Sequence, residues 1–218
     1  MYKRQHKNGF AFLAEAELGL RNPWQVTPEW SVLIDVGLAA GSAESVLEDV
    51  FQAGLAAGLV QDGFIAQSAG QRADFWALRE TIPEANRRIG SVSSHDISVP
   101  LGAIESFIAE GTRRVAQIGT FRINCFGHVG DGNLHFNVFP MPGKSRTDHL
   151  TERSQIKRAL HDLADELGGS VSAEHGIGRL KVDDLERYGD AAKLAAMRQI
   201  KAAMDPKGIM NPGAVLRM

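Results

Sequence analysis

The chain has 218 residues, 44% of them hydrophobic, which is enough apolar mass for one sizeable core or two smaller ones. Its 24 basic and 26 acidic side chains are spread evenly, so no basic block could neutralise a row of phosphates, and nucleic acid is not an expected partner. No apolar run approaches the roughly 20 residues that cross a bilayer, and no signal-peptide core follows the start, so a cytoplasmic protein without a transmembrane segment is expected. The single cysteine, Cys125, excludes an internal disulfide, a CxxC pair and a thiolate-held cluster within this chain, leaving His and carboxylates to hold any metal.

Residues 1–5 (MYKRQ) show neither helical nor strand periodicity, and 1–29 read as a truncated lead-in, with Met1 an internal position of a longer enzyme. Residues 30–36 (WSVLIDV) are β-branched and apolar and predict a buried strand. Ser42 is placed to cap a helix whose apolar positions Val46, Leu47, Val50, Phe51 and Leu55 recur until Gly58 stops them. Residues 63–66 suggest a short strand. Residues 72–89 return to helix, bent or interrupted at Pro83.

The alternation then repeats. Residues 96–99 read as strand, and Ile104, Phe107, Ile108 and Val115 mark a helix face; strands at 122–128 and 133–139 follow. A Pro/Gly/Ser linker spans 141–146, and a long amphipathic helix at 148–167 closes at Gly168-Gly169. Helices near 181–188 and 190–204 precede an irregular tail, MDPKGIMNPG. These elements predict an α+β fold, a largely antiparallel sheet backed by helices, with a pair of ferredoxin-like units as the expected architecture.

The segment GHVGDGNLHFNV (127–138) carries the chemistry. Asp131-Gly132 predicts a two-residue type I′ turn, which would set His128 directly opposite His135. Directly opposed side chains lie about 4.5–5.5 Å apart at Cβ and share a face, so two imidazoles could share one ion. Period-2 alternation puts Leu134, Phe136 and Val138 on a core face and Asn133, His135 and Asn137 on a polar one. A third ligand is offered by Glu174 in SAEHGIG (172–178), with His175 beside it as a proton acceptor. Two histidines and a carboxylate with open positions suit catalytic zinc or non-haem iron. His6, His149 and His161 read as solvated, and Cys125 as a small buried hydrophobe.

Taken in order, FWALRETIPEA (75–85), HDISVP (95–100), GHVGDGNLHFNV, SAEHGIGRLK (172–181) and MDPKGIMNPG (204–213) resemble the C-terminal domain of the FAD-linked oxidase family. That group of vanillyl-alcohol oxidase-type flavoproteins includes D-lactate and D-2-hydroxyglutarate dehydrogenases and the glycolate oxidase flavin subunit. The resemblance implies a substrate- and metal-binding domain at 30–203, a flavin-contacting tail at 204–218, and an N-terminal FAD-binding domain that this chain lacks. It also implies roles: His128, His135 and Glu174 hold a divalent metal, expected to be zinc; His175 takes the substrate hydroxyl proton. Arg79 pairs with the substrate carboxylate, Asn137 contacts substrate, and Asn211 approaches the flavin.

The expected activity is oxidation of a D-2-hydroxy acid to the 2-oxo acid, with metal-assisted deprotonation of the hydroxyl and hydride transfer to FAD. Electrons then pass to a downstream acceptor, and a homodimer is among the assemblies this allows. By itself the chain is not expected to hold FAD tightly or to turn over. Ser94 stands where members acting on dicarboxylates tend to carry Lys, and Pro83 where they often carry Thr; both argue against a second substrate carboxylate. The competing readings are a metal-dependent hydrolase using the same His/His/Glu set and a non-catalytic binding domain.

Overall fold

A computed structural model of the chain describes residues 2–38, 42–128 and 130–217. These form two compact units, Met1–Ile89 and Gly90–Met218. Within each, the strands pair antiparallel and helices pack against them, as an α+β fold requires.

In the first unit, β1 (Tyr2–His6) pairs antiparallel with β2 (Trp30–Ile34), His6 opposite Trp30. The lead-in is therefore regular structure: β1 runs directly into α1 (Lys7–Glu15), where His6 Nδ1 caps the helix by accepting from the Asn8 N–H. The run Tyr-Lys-Arg-Gln-His carries no hydrophobic period, so the strand's signal lies in its partner rather than in itself. Phe10, Phe12 and Leu13 of α1 are buried, as are Leu78, Ile82 and Ala85 of the long α3 (Ala69–Ile89), which packs on α1. The helix α3 continues through Pro83, which is exposed; lacking an N–H, it cannot donate to the Arg79 carbonyl.

Two further expectations fail in this unit, and a third element forms as expected but stays uncovered by the core. The strand at 30–36 ends at Ile34 and is half-exposed, with Val32 open to solvent. Residues 63–66 form no strand: the Asp62 carboxylate accepts from the Gly63 N–H, and the chain runs on without ladder partners to the start of α3. The helix α2 (Ala43–Ala56) is capped by Ser42 and stopped at Gly58 as expected, yet none of its residues is buried. Periodicity reports that a helix has two faces, not that something covers one of them.

In the second unit, β3 (Ser93–Ser98) and β4 (Arg122–His128) flank β5 (Asn133–Phe139) antiparallel. One face packs on α4 (Ile104–Ile118) and α5 (Leu150–Glu166): Phe136 meets Phe107 edge to face, and Val115, Ile156, Leu160 and Leu163 complete the core. Beyond α5 come α6 (Val182–Tyr188) and α7 (Ala191–Met204), the latter capped by Asp190.

His161 and His149, expected to be solvated, are buried. His161 lies on the core side of α5 and joins a chain of polar contacts through the apolar layer. The Ser93 hydroxyl meets His95 Nε2 at 2.8 Å, His95 Nδ1 meets His161 Nε2 at 3.1 Å, and His161 Nδ1 meets Asp184 Oδ1 at 3.1 Å. Lys157 closes it on Asp184 at 2.7 Å. The Asp184 carboxylate can only accept, so His161 donates from Nδ1 and accepts at Nε2 from His95, which in turn accepts from Ser93. Each ring nitrogen along this path has a partner, and Asp184 Oδ2, which has no hydrogen bond, faces the Lys157 ammonium, so the path can stand in for apolar packing between β3, α5 and α6.

Burial, then the nearby His161, Lys181 and Lys157 charges, holds His95 well below the ordinary histidine range. Burial also lowers His161, against the opposing pull of Asp184. Both rings are thus neutral when folded, whereas the unfolded chain takes up their protons below about pH 6.5. The stability they contribute is present above that pH and is lost as pH falls toward their folded values; denaturant midpoints at pH 7.5, 6.5 and 5.5 should fall in that order, and a flat series would refute the buried neutral chain. A second test concerns Gly132, whose φ is +74° and whose added Cβ would meet the Val99 carbonyl oxygen. Gly132→Ala is expected to destabilise the fold by about 1–3 kcal/mol, read from urea midpoints; an unchanged midpoint would mean that this close approach is not made.

Candidate functional site

The polar face of the β3–β5–β4 sheet is set by register. On β5 it presents Asn133, His135 and Asn137, and the β3 residues opposite them are Ser98, Asp96 and Ser94. On β4, Phe126 stands opposite His135 and Asn124 opposite Asn137. The hairpin register is therefore displaced by two residues from the expected one: continued along β4, it sets His128 across from Asn133. The connection spans 129–132, with Val129 outside the described residues, and Asp131 accepts from the Asn133 N–H at 3.0 Å as an Asx turn. Asp131 is not at positive φ, so a type I′ turn is not formed. A slip of two preserves the face, and His128 and His135 remain diagonal neighbours on one side of the sheet.

Both histidines reach one carboxylate. His128 Nε2 lies 3.5 Å from Glu174 Oε1, and His135 Nε2 lies 3.3 Å from Glu174 Oε2. Asp96, His135, Glu174 and His175 each offer a ligand-capable atom within 4.8 Å of the others. Phe126 tilts against the His135 ring at 5.0 Å and covers it, while His175 approaches edge-on at 6.2 Å.

Asp96 is the member that sequence reasoning missed. It is 8% exposed and accepts from Asn133 Nδ2 at 2.9 Å, from the Glu174 N–H at 2.8 Å and from the His175 N–H at 2.9 Å. Burial pushes its pKa up, but the bonds from the His175 and Glu174 N–H groups and from Asn133 outweigh that, and the carboxyl sits below its ordinary range. Lys181 Nζ ties the Asp96 carbonyl to that of Val171, drawing the loop before α6 onto β3. The signal available was parity: Ser94, Asp96 and Ser98 alternate as the polar face of β3, just as Asn133, His135 and Asn137 do on β5.

The other predicted residues lie as follows. Asn137 is buried on the polar face and donates its amide N–H groups to the Asn124 and His135 carbonyls. Asn211 is exposed, at φ 47°, in a tail organised by Asp205, whose carboxylate accepts from the Ile209 and Met210 N–H groups and pairs with Lys201. Arg79 belongs to the first unit, in a cavity of about 500 Å³ lined by Lys3, Asp35, Arg72, Trp76, Arg79 and Glu80. Asp35 there is held by Arg72 at 2.6 Å and by the Trp76 indole N–H at 3.0 Å, and the Arg72 bond keeps its carboxyl below the usual range.

The chain is similar to proteins of known description. It is 35% identical over 203 residues to a probable mitochondrial D-2-hydroxyglutarate dehydrogenase of Oryza sativa subsp. indica, covering 91% of this chain and 34% of that protein. It is 35% identical over 201 residues to the D-2-hydroxyglutarate dehydrogenase of Xanthomonas citri pv. viticola, covering 92% and 41%. It thus spans roughly a third to two-fifths of the length of these relatives. Among solved structures it resembles 4-ethylphenol oxidase from Gulosibacter chungangensis with a TM-score of 0.51 at 12% identity, covering 98% of this chain and 47% of that one, a likeness of fold. Residues 8–215 match the family described as FAD linked oxidases, C-terminal domain, and the chain belongs to that family.

Proposed function

We propose that this chain is the C-terminal, substrate- and metal-binding part of an FAD-dependent dehydrogenase of D-2-hydroxy acids. The observation that carries the reading is the convergence of His128 and His135 on Glu174, in a chain about a third identical to D-2-hydroxyglutarate dehydrogenases. The donor set fits a divalent cation. Two ligands held about 2.1 Å from a tetrahedral ion stand about 3.4 Å apart, and the imidazole-to-carboxylate separations here are 3.5 and 3.3 Å. His128, His135 and Glu174 are the proposed ligands, and zinc the proposed ion.

When bound, FAD accepts the hydride from C2 and the cation lowers the hydroxyl pKa. The chain's residues do the rest. His175, its backbone fixed by Asp96 and its ring exposed, takes the hydroxyl proton. Arg79 pairs with the substrate carboxylate through its planar fork of donors. Asn137 offers the amide oxygen not used in its two backbone bonds. Asn211 is proposed to approach the flavin edge. On β3, Ser94 shares the site face but is neutral and bonded to the Ser91 hydroxyl at 2.7 Å, so it offers no charge for a second carboxylate.

Metal analysis of the purified chain should find close to one zinc per molecule, and His128→Ala and His135→Ala should each lose it; equal trace amounts in all three would refute the site. In the full-length enzyme, D-lactate should bleach the flavin with a higher kcat/KM than D-2-hydroxyglutarate, and the reverse order would refute the argument from Ser94. Arg79→Lys should reduce kcat/KM by about 10- to 100-fold, the size expected for one charge-assisted bidentate contact.

A further inference from the structure

We infer that Asp96 is not a fourth ligand but the positioning residue of the cluster. It fixes the Glu174–His175 backbone and the orientation of His135 at once. This rests on the metal-site reading above. An ionised carboxylate has about four acceptor sites. Three are occupied: the Glu174 and His175 N–H groups share Oδ2 at 2.8 and 2.9 Å, and Asn133 Nδ2 donates to Oδ1 at 2.9 Å. The remaining direction faces His135 Nδ1, 3.6 Å from Oδ1. That is longer than a hydrogen bond, but it sets the ring nitrogen against a negative charge, which favours the proton on Nδ1 over a lone pair there. With the proton on Nδ1, Nε2 keeps the lone pair that a metal ligand needs, 3.3 Å from Glu174 Oε2.

The two N–H bonds come from consecutive peptide groups, so they hold the backbone that carries Glu174 and His175 although both side chains are exposed. One carboxylate on β3 thereby sets the places of a ligand on β5, a ligand on the loop and the proposed proton acceptor. Outer partners of this kind typically tune metal affinity by 10- to 100-fold, whereas removing a ligand has a larger effect.

Three measurements on the 218-residue chain test the inference. Without metal, the Glu174 and His175 amides should be protected from hydrogen exchange, and the His135 ring nitrogens should report the Nδ1–H tautomer by ¹⁵N shift. Asp96→Asn keeps the volume, but one arm of the amide must now face a donor, so the tautomer should shift toward Nε2–H. Zinc affinity should fall about 10- to 100-fold by titration with the ion alone. Unprotected amides in the wild-type chain would overturn the proposal without recourse to any variant. So would an Asp96→Asn chain with wild-type tautomer and zinc affinity. A loss beyond a thousandfold, with an altered cobalt absorption spectrum, would make Asp96 a ligand and overturn the positioning role. A wild-type chain that binds no zinc sinks the metal site itself, while exchange and tautomer still judge Asp96.

Discussion

A carboxylate taken almost entirely out of water must be surrounded by donors, and in this protein that requirement organises the second unit. Asp96 lies on β3 between an apolar layer and a polar surface, and it recruits its donors from β5 and from the loop before α6. The loop has no regular structure of its own between Val171 and α6, so these bonds and the Lys181 bridge to the Asp96 and Val171 carbonyls give it a defined place. Remove the carboxylate and two peptide N–H groups lose their partner together, which is a larger disturbance than the loss of one side-chain contact.

The neighbouring residue works in the opposite direction. Successive side chains of a strand point to opposite faces, so His95 enters the core where Asp96 enters the site. Through His161 and Asp184 it ties β3 to α5 and α6, and Lys157 at the far end supplies the opposite charge. The HD pair is thus a two-sided fastening: one residue fixes the strand against the helices, and the other fixes the loop against the strand. Site and core share a strand, which makes the site geometry as rigid as the packing beneath it.

Much of this was legible in the residues. The two strands of the hairpin have the bounds their alternation implied, Ser42 caps a helix as its position suggested, and the glycine stop at Gly58 is where the left-handed residue lies. The pairing of His128 and His135 on one face survived an incorrect turn type, because a register error of two residues leaves parity intact. Less was legible in the first unit: β1 carries a mostly polar pentapeptide, and the amphipathic α2 reaches only half-burial, Phe51 lying against Gly63. Local pattern cannot distinguish a helix that has a partner from one that does not.

By itself the sequence determined the chemical inventory and the local geometry: a GHVGDGNLH hairpin, an EHG loop, strands of known parity and a family signature along most of the chain. These follow from dihedral preference and from periods of two and 3.6, which neighbouring residues decide among themselves. Only the tertiary structure decided that β3 lies beside β5 with Asp96 opposite His135, and that His161 faces inward to meet His95. Contacts between residues 39 and 66 positions apart depend on which elements pack together, and no local period encodes that choice.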